Sequence, residues 1–114
     1  MLLSFEFENF KSFKDANVLD LTAAKITEYD YHVRQYGKER VLPVAAIYGA
    51  NASGKSNVYQ AMQFMTYYVI ASFNFGGDNT VDSINQYRYP KPPAFTLAAA
   101  NKAKPTVFEV YFID

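Results

Sequence analysis

Between positions 49 and 56 the chain reads Gly49-Ala50-Asn51-Ala52-Ser53-Gly54-Lys55-Ser56. This is a complete G-x-x-x-x-G-K-[ST] pattern, and no other stretch limits the possible fold as tightly. Glycine at both ends of the run lets the backbone turn until successive N–H groups face inward as an anion nest. A helix starting near Lys55 adds the positive end of its dipole. Lys55 then supplies a point charge for the β- and γ-phosphates. The Ser56 hydroxyl supplies a ligand for Mg²⁺, which also bridges phosphate oxygens. The expected ligand is therefore a nucleoside triphosphate, ATP with Mg²⁺. Gly49, Ala50, Asn51, Ala52, Ser53, Gly54, Lys55 and Ser56 are expected to line its phosphates, with Ser56 as the metal ligand.

The flanks carry the rest of that expectation, because such a loop needs a strand before it and a helix after it. Residues 41–48 (Val-Leu-Pro-Val-Ala-Ala-Ile-Tyr) are apolar on both faces, as in a strand buried within a parallel sheet. Pro43 cannot donate to a ladder, so that strand is expected to start at Val44. After the loop, Val58, Ala61, Met62, Met65 and Val69 recur at three and four residues, which predicts an amphipathic helix ending at Gly76-Gly77.

The remainder reads as strands and turns. Leu3, Phe5 and Phe7 alternate with Ser4, Glu6 and Glu8, the pattern of a half-buried strand. Residues 9–15 read as a turn, and 18–21 as a short strand pairing back on the first. Residues 22–40 are polar and weakly patterned, a loop with room for one short strand. Residues 76–93 read as a proline-broken loop, 95–97 as a short strand, 98–105 as a turn and 106–113 as a strand. The fold class expected is α/β: β-strands plus a strand–loop–helix unit, the N-terminal lobe of a P-loop NTPase.

Composition removes several alternatives. The 114 residues contain no cysteine and one histidine. Disulfide scaffolds, zinc–cysteine sites and cysteine nucleophiles are thereby excluded. Eleven basic residues balance eleven acidic ones, so net charge gives no reason to expect nucleic-acid binding. The N-terminus lacks the basic start and apolar core of a signal peptide. The apolar stretch 58–75 is interrupted by Gln60, Gln63, Thr66, Ser72 and Asn74, so no membrane span is expected. A cytoplasmic protein is the plain reading. Ten Phe and ten Tyr are a heavy aromatic load for a small domain. Part of that surface is expected to lie against something outside this chain.

Two further segments carry a family resemblance. Asn9-Phe10-Lys11-Ser12-Phe13 resembles the Asn-Phe-(Arg/Lys)-Ser-Phe segment at the start of SMC-like and RecF-like ABC-type ATPase heads. The run from Ala46 through the glycine loop to Asn57, followed by Ala61 and Met62, is similar to the P-loop of the OLD-like AAA ATPases in that branch. Arg88-Tyr89-Pro90, Phe95 and the run from Pro105 to Val110 are similar to the family's next block.

The resemblance implies that Lys11 approaches the bound nucleotide and that the Asn51 side chain faces the γ-phosphate. By their place in the sequence, Tyr48 and Asn57 sit beside the phosphates, and supporting roles there are expected of them. The resemblance also implies missing machinery: a glutamine loop, a signature motif and a Walker B strand ending Asp-Glu. The chain is thus expected to be the N-terminal lobe, residues 1–114, of an incomplete ABC-type head. Its expected partners are its own C-terminal half and a second head in a homodimer, with DNA reached only through missing parts. The complete protein would act in DNA repair or phage defence. Residues 110–114 imitate a Walker B strand, but the family places that strand far downstream.

Two other readings compete with a hydrolysing lobe. One is a nucleotide-binding switch or assembly module that hydrolyses nothing. The other is a small self-contained P-loop kinase or GTPase. Asn101-Lys102-Ala103-Lys104 has lysine where a guanine-reading Asn-Lys-x-Asp needs aspartate, so guanine selectivity is not expected.

Overall fold

A computed structural model describes residues 1–75 and 92–114. Alternation of apolar and polar residues produces the first strand, β1 (Leu2–Glu8), which turns Phe5 and Phe7 into the core. Two strands flank it, both antiparallel: β2 (Asn17–Asp20) on one side and, from the far end of the chain, the last strand (Val107–Phe112) on the other. Phe5 lies opposite Leu19 and Val110, and Phe7 opposite Asn17 and Phe108, so the apolar partners share one face.

Between β2 and the glycine loop, residues 22–40 are more ordered than their composition suggests. A 3-10 turn (Asp30–His32) leads into a hairpin of β3 (Arg34–Tyr36) and β4 (Glu39–Val41). Gly37, at φ 59, takes the first central position of its two-residue turn, where side-chain-bearing residues are strained. Arg40 stitches the preceding loop, donating to the Ala24 and Ile26 carbonyls and pairing with Asp30. The hairpin joins the end of β2 through the N–H groups of Ala23 (to Arg40 O, 2.7 Å) and Leu42 (to Leu21 O, 2.8 Å). Val41 is buried there.

The helix α1 (Lys55–Phe75) follows the glycine loop and covers the inner face of the sheet. Ala61 is fully buried against Phe5, Phe7 and Phe10, and Val58, Met62, Phe64 and Met65 pack around them. The core is aromatic: Phe10 sits 5.8 Å from Phe108 and 6.0 Å from Phe64 between ring centroids, and Phe7 4.8 Å from Phe13 in an edge-on arrangement. The final strand is β5 (Val107–Phe112).

Four expectations need correction. Residues 44–48 form no strand, and Val44, Ile47 and Tyr48 are exposed by 77%, 48% and 90%. Apolarity makes a segment fit for burial, but a strand exists only where neighbours take its N–H and C=O groups, and no described strand lies beside it. The second concerns 95–97, also not a strand: the Phe95 N–H goes to the Asn9 side chain (3.1 Å) instead of a ladder. Third, Val69 is exposed, with Ile70 and Tyr67. A helix of 21 residues runs about 31 Å, whereas β1, with 7 residues, spans about 23 Å, so the last turns outrun the sheet. Fourth, 22–40 holds two strands. The architecture is α/β, built of antiparallel sheets and one long helix. The expected stop at Gly76-Gly77, most of the 76–93 loop and Arg88-Tyr89-Pro90 lie outside the described residues.

Candidate functional site

The glycine loop turns through residues 51–54 and delivers the chain into α1 at Lys55. Ala52 at φ 64 and Gly54 at φ 91 reverse the backbone within three residues. Both glycines of the pattern have a spatial reason. A Cβ on Gly49 would fall 2.6 Å from Ser53 Oγ, and one on Gly54 would fall 2.8 Å from Ser12 Oγ. Gly54 is the more constrained of the two, since its φ disfavours any side chain as well. The Ser53 N–H donates to Ala50 O (3.2 Å) and the Asn57 N–H to Gly54 O (2.9 Å), which closes the turn onto the helix.

The electrostatics favour an anion. A helix leaves its first-turn N–H groups without partners of its own and carries a partial positive charge there. The first turn of α1 has no acidic residue to neutralise it. Lys55 folds back over the loop, and its ammonium donates to the carbonyls of Gly49 and Ala50 (2.6 Å to the latter). An ammonium has three donors, so this arrangement leaves one uncommitted. Exchanging neutral carbonyls for phosphate oxygens would also exchange ordinary hydrogen bonds for charge-assisted ones, about twice as strong. Asn51, Ala52, Ser53 and Ser56 are exposed, and Tyr48 stands almost wholly in solvent beside them.

The Asn9–Phe13 turn comes against this loop, and its residues separate by role. Asn9 is buried and structural. Its Nδ2 donates to the carbonyls of Asn101 (2.9 Å), Lys104 (3.0 Å) and Pro105 (3.3 Å), while its Oδ1 accepts from the Phe95 N–H and from Asn101 Nδ2. Phe10 and Phe13 enter the core. The Lys11 ammonium is held by Gln60 on the second turn of α1 and lies 6.0 Å from the Phe10 ring centroid. It lines an open groove of about 470 Å³ with Gln63, Phe64, Tyr67 and Pro93. The loop residues 49–56 do not line that groove. Ser12, by contrast, lies against Gly54 of the loop, and its hydroxyl accepts from Asn57 Nδ2 in the first turn of α1 at 2.7 Å. Ser12 falls within the Asn-Phe-Lys-Ser-Phe segment, but no sequence signal gave its contact to Asn57 or that of Lys11 to Gln60, because these cross 45 and 49 positions of chain.

A metal here would depend on ligands beyond carboxylates. No group of three or more His, Cys, Asp or Glu is assembled among the described residues. Among the described residues, the displaced pKa values belong to groups outside the loop. The Asp20 carboxyl is held below the ordinary range by the Thr22 N–H, then by the Thr22 hydroxyl. The Tyr111 phenol is raised by its hydrogen bond to Glu109 and by that carboxylate's charge. Among the described residues, no helix is long and apolar enough to cross a membrane.

A glycine loop closing onto the positive end of a long helix, beside an aromatic α/β core, is compatible with a lobe of the P-loop NTPase class. The chain belongs to the family described as "AAA domain, putative AbiEii toxin, Type IV TA system", whose sequence model matches residues 44–114. The match opens at the segment before the glycine loop and runs through α1 and β5. It supports an AAA ATPase domain of the ABC-type, OLD-like general kind. No curated protein and no solved structure matches the chain.

Proposed function

We propose that the chain binds ATP with Mg²⁺ at residues 49–56 and forms the ATP-binding lobe of an OLD-like, ABC-type ATPase head. The observation that carries this reading is the Gly54–Lys55 junction. There a glycine at φ 91 hands the chain to a helix whose first residue is the lysine. Lys55 and the first-turn N–H groups would bind the phosphates, and Ser56 would ligate the metal. The bound metal supplies charge neutralisation at the phosphates. Asn51 and Lys11 are proposed as further nucleotide contacts, and Lys11 would have to exchange Gln60 for the ligand.

We further propose that a C-terminal half and a second head complete the site. The exposed apolar run 44–48 supports this, since covering it by neighbouring strands would bury Val44 and Ile47. A defence setting is favoured over DNA repair by the family's description, which names a toxin of a type IV system. Competition binding with ATP and GTP tests the base preference. At most a modest preference for adenine is expected. A GTP affinity higher by about tenfold, roughly 1.4 kcal/mol, would instead indicate a guanine-selective protein.

A further inference from the structure

Ser12 is exposed, so no burial forces its hydroxyl to find a partner, yet it meets both the glycine loop and the first turn of α1. Its Oγ accepts from Asn57 Nδ2 at 2.7 Å. The same oxygen lies so close to Gly54 that a Cβ there would approach it to 2.8 Å, with the Phe13 ring at 3.6 Å. Ser12 and Phe13 together form the wall against which Gly54 turns.

That wall is anchored on several sides. Phe10 and Phe13 exchange backbone hydrogen bonds of 2.9 Å in both directions, and the Lys11 N–H donates to Pro93 O at 2.7 Å. Lys11 reaches across to Gln60, one turn beyond Asn57 on α1. Asn9 and Lys11 hold positive φ values of 53 and 49, a backbone that persists in side-chain-bearing residues only when the surroundings enforce it. Asn9 itself is locked to residues 95–106 by its side chain and by Thr106 Oγ1, which donates to Asn9 O at 2.7 Å.

We infer that Ser12 is a positioning residue for the phosphate loop. Its hydroxyl fixes the Asn57 side chain and seats Gly54, so that the loop's donors are arranged before a ligand arrives. Preorganisation of this kind raises affinity by removing the ordering cost from binding. Asn57 then acts through Ser12, without touching the phosphates. This inference rests on the nucleotide-binding reading above.

Two measurements on the full chain test it. In Mg·ATP titrations, Ser12→Ala and Asn57→Ala each weaken binding about three- to tenfold, the range for one lost hydrogen bond. The double variant is no weaker than the worse single variant. Additive losses would overturn the inference, because Asn57 would then contact the nucleotide independently of Ser12. The second measurement is amide hydrogen exchange without nucleotide. Ser12→Ala should speed exchange at Gly54 to Asn57 while the urea unfolding midpoint stays at the wild-type value. Unchanged exchange there would also overturn it. If the wild type bound no Mg·ATP but exchange still responded, the nucleotide reading would fall and the seating of the loop by Ser12 would stand.

Discussion

Gly54 sits at φ 91 with Ser12 Oγ where a side chain would begin. Gly54→Ala therefore meets two obstacles, an unfavourable backbone region and a 2.8 Å contact. Strain of this sort is worth about 1–3 kcal/mol. It should appear as Mg·ATP affinity weakened at least fivefold, or about 1 kcal/mol. An unchanged dissociation constant would show that Gly54 is not needed in this conformation. Gly49→Ala should be milder, since Gly49 does not hold a left-handed φ and the atom its Cβ meets is the end of the Ser53 side chain, which can rotate. The loop was legible in the sequence because all of its determinants lie within one short run: turn glycines, a lysine, a hydroxyl and a helix start. The place of Lys11 was not, nor the pairing of Ser12 with Asn57. Which polar groups meet across 45 positions depends on how the turn docks on the helix, and no local pattern encodes that.

Among the elements, the turn after β1 holds the architecture together. The Asn9 side chain ties it to the 3-10 turn Ala99–Ala103 and to the approach of β5, joining the two ends of the sheet. Asn9→Ala removes the hydrogen-bond partners of several buried or partly buried groups, and it places alanine at φ 53. The expected loss is about 3 kcal/mol of unfolding free energy, read as a lower urea midpoint with unchanged slope. A change below about 0.5 kcal/mol, typical of a surface site, would contradict this role.

Strand β1 could be read from the sequence because Leu3, Phe5 and Phe7 alternate with polar residues, a signal that depends only on neighbours in the chain. Residues 44–48 were misread for the opposite reason. Their apolar composition reports suitability for burial, whereas strand formation depends on partners, and none of the described strands pairs with them. The hairpin of β3 and β4 did carry a signal, Tyr36-Gly37-Lys38, with glycine where a two-residue turn wants positive φ. It lay unnoticed within a polar stretch.

For the whole molecule the central question is what this chain does with a nucleotide. Hydrolysis needs charge neutralisation, an oriented water and stabilisation of the transferring phosphoryl group. On the proposed reading the glycine loop addresses the first. The sequence contains no Asp-Glu pair, and Asp114 follows β5, an antiparallel strand that pairs with β1. Purified chain should therefore show no ATP turnover above a Lys55→Ala control, and a wild-type rate near 1 s⁻¹, the low end of ordinary enzymes, would show a complete site. Whether nucleotide binds at all is the more basic matter, and calorimetric titration of Mg·ATP into wild type and Lys55→Ala tests it most directly. Alanine keeps the helix start favourable and removes the charge that compensates the phosphates. The account predicts saturable binding by the wild type, weakened at least tenfold, about 1.4 kcal/mol, in Lys55→Ala. Equal affinity in the two proteins, or no binding by either, would contradict it.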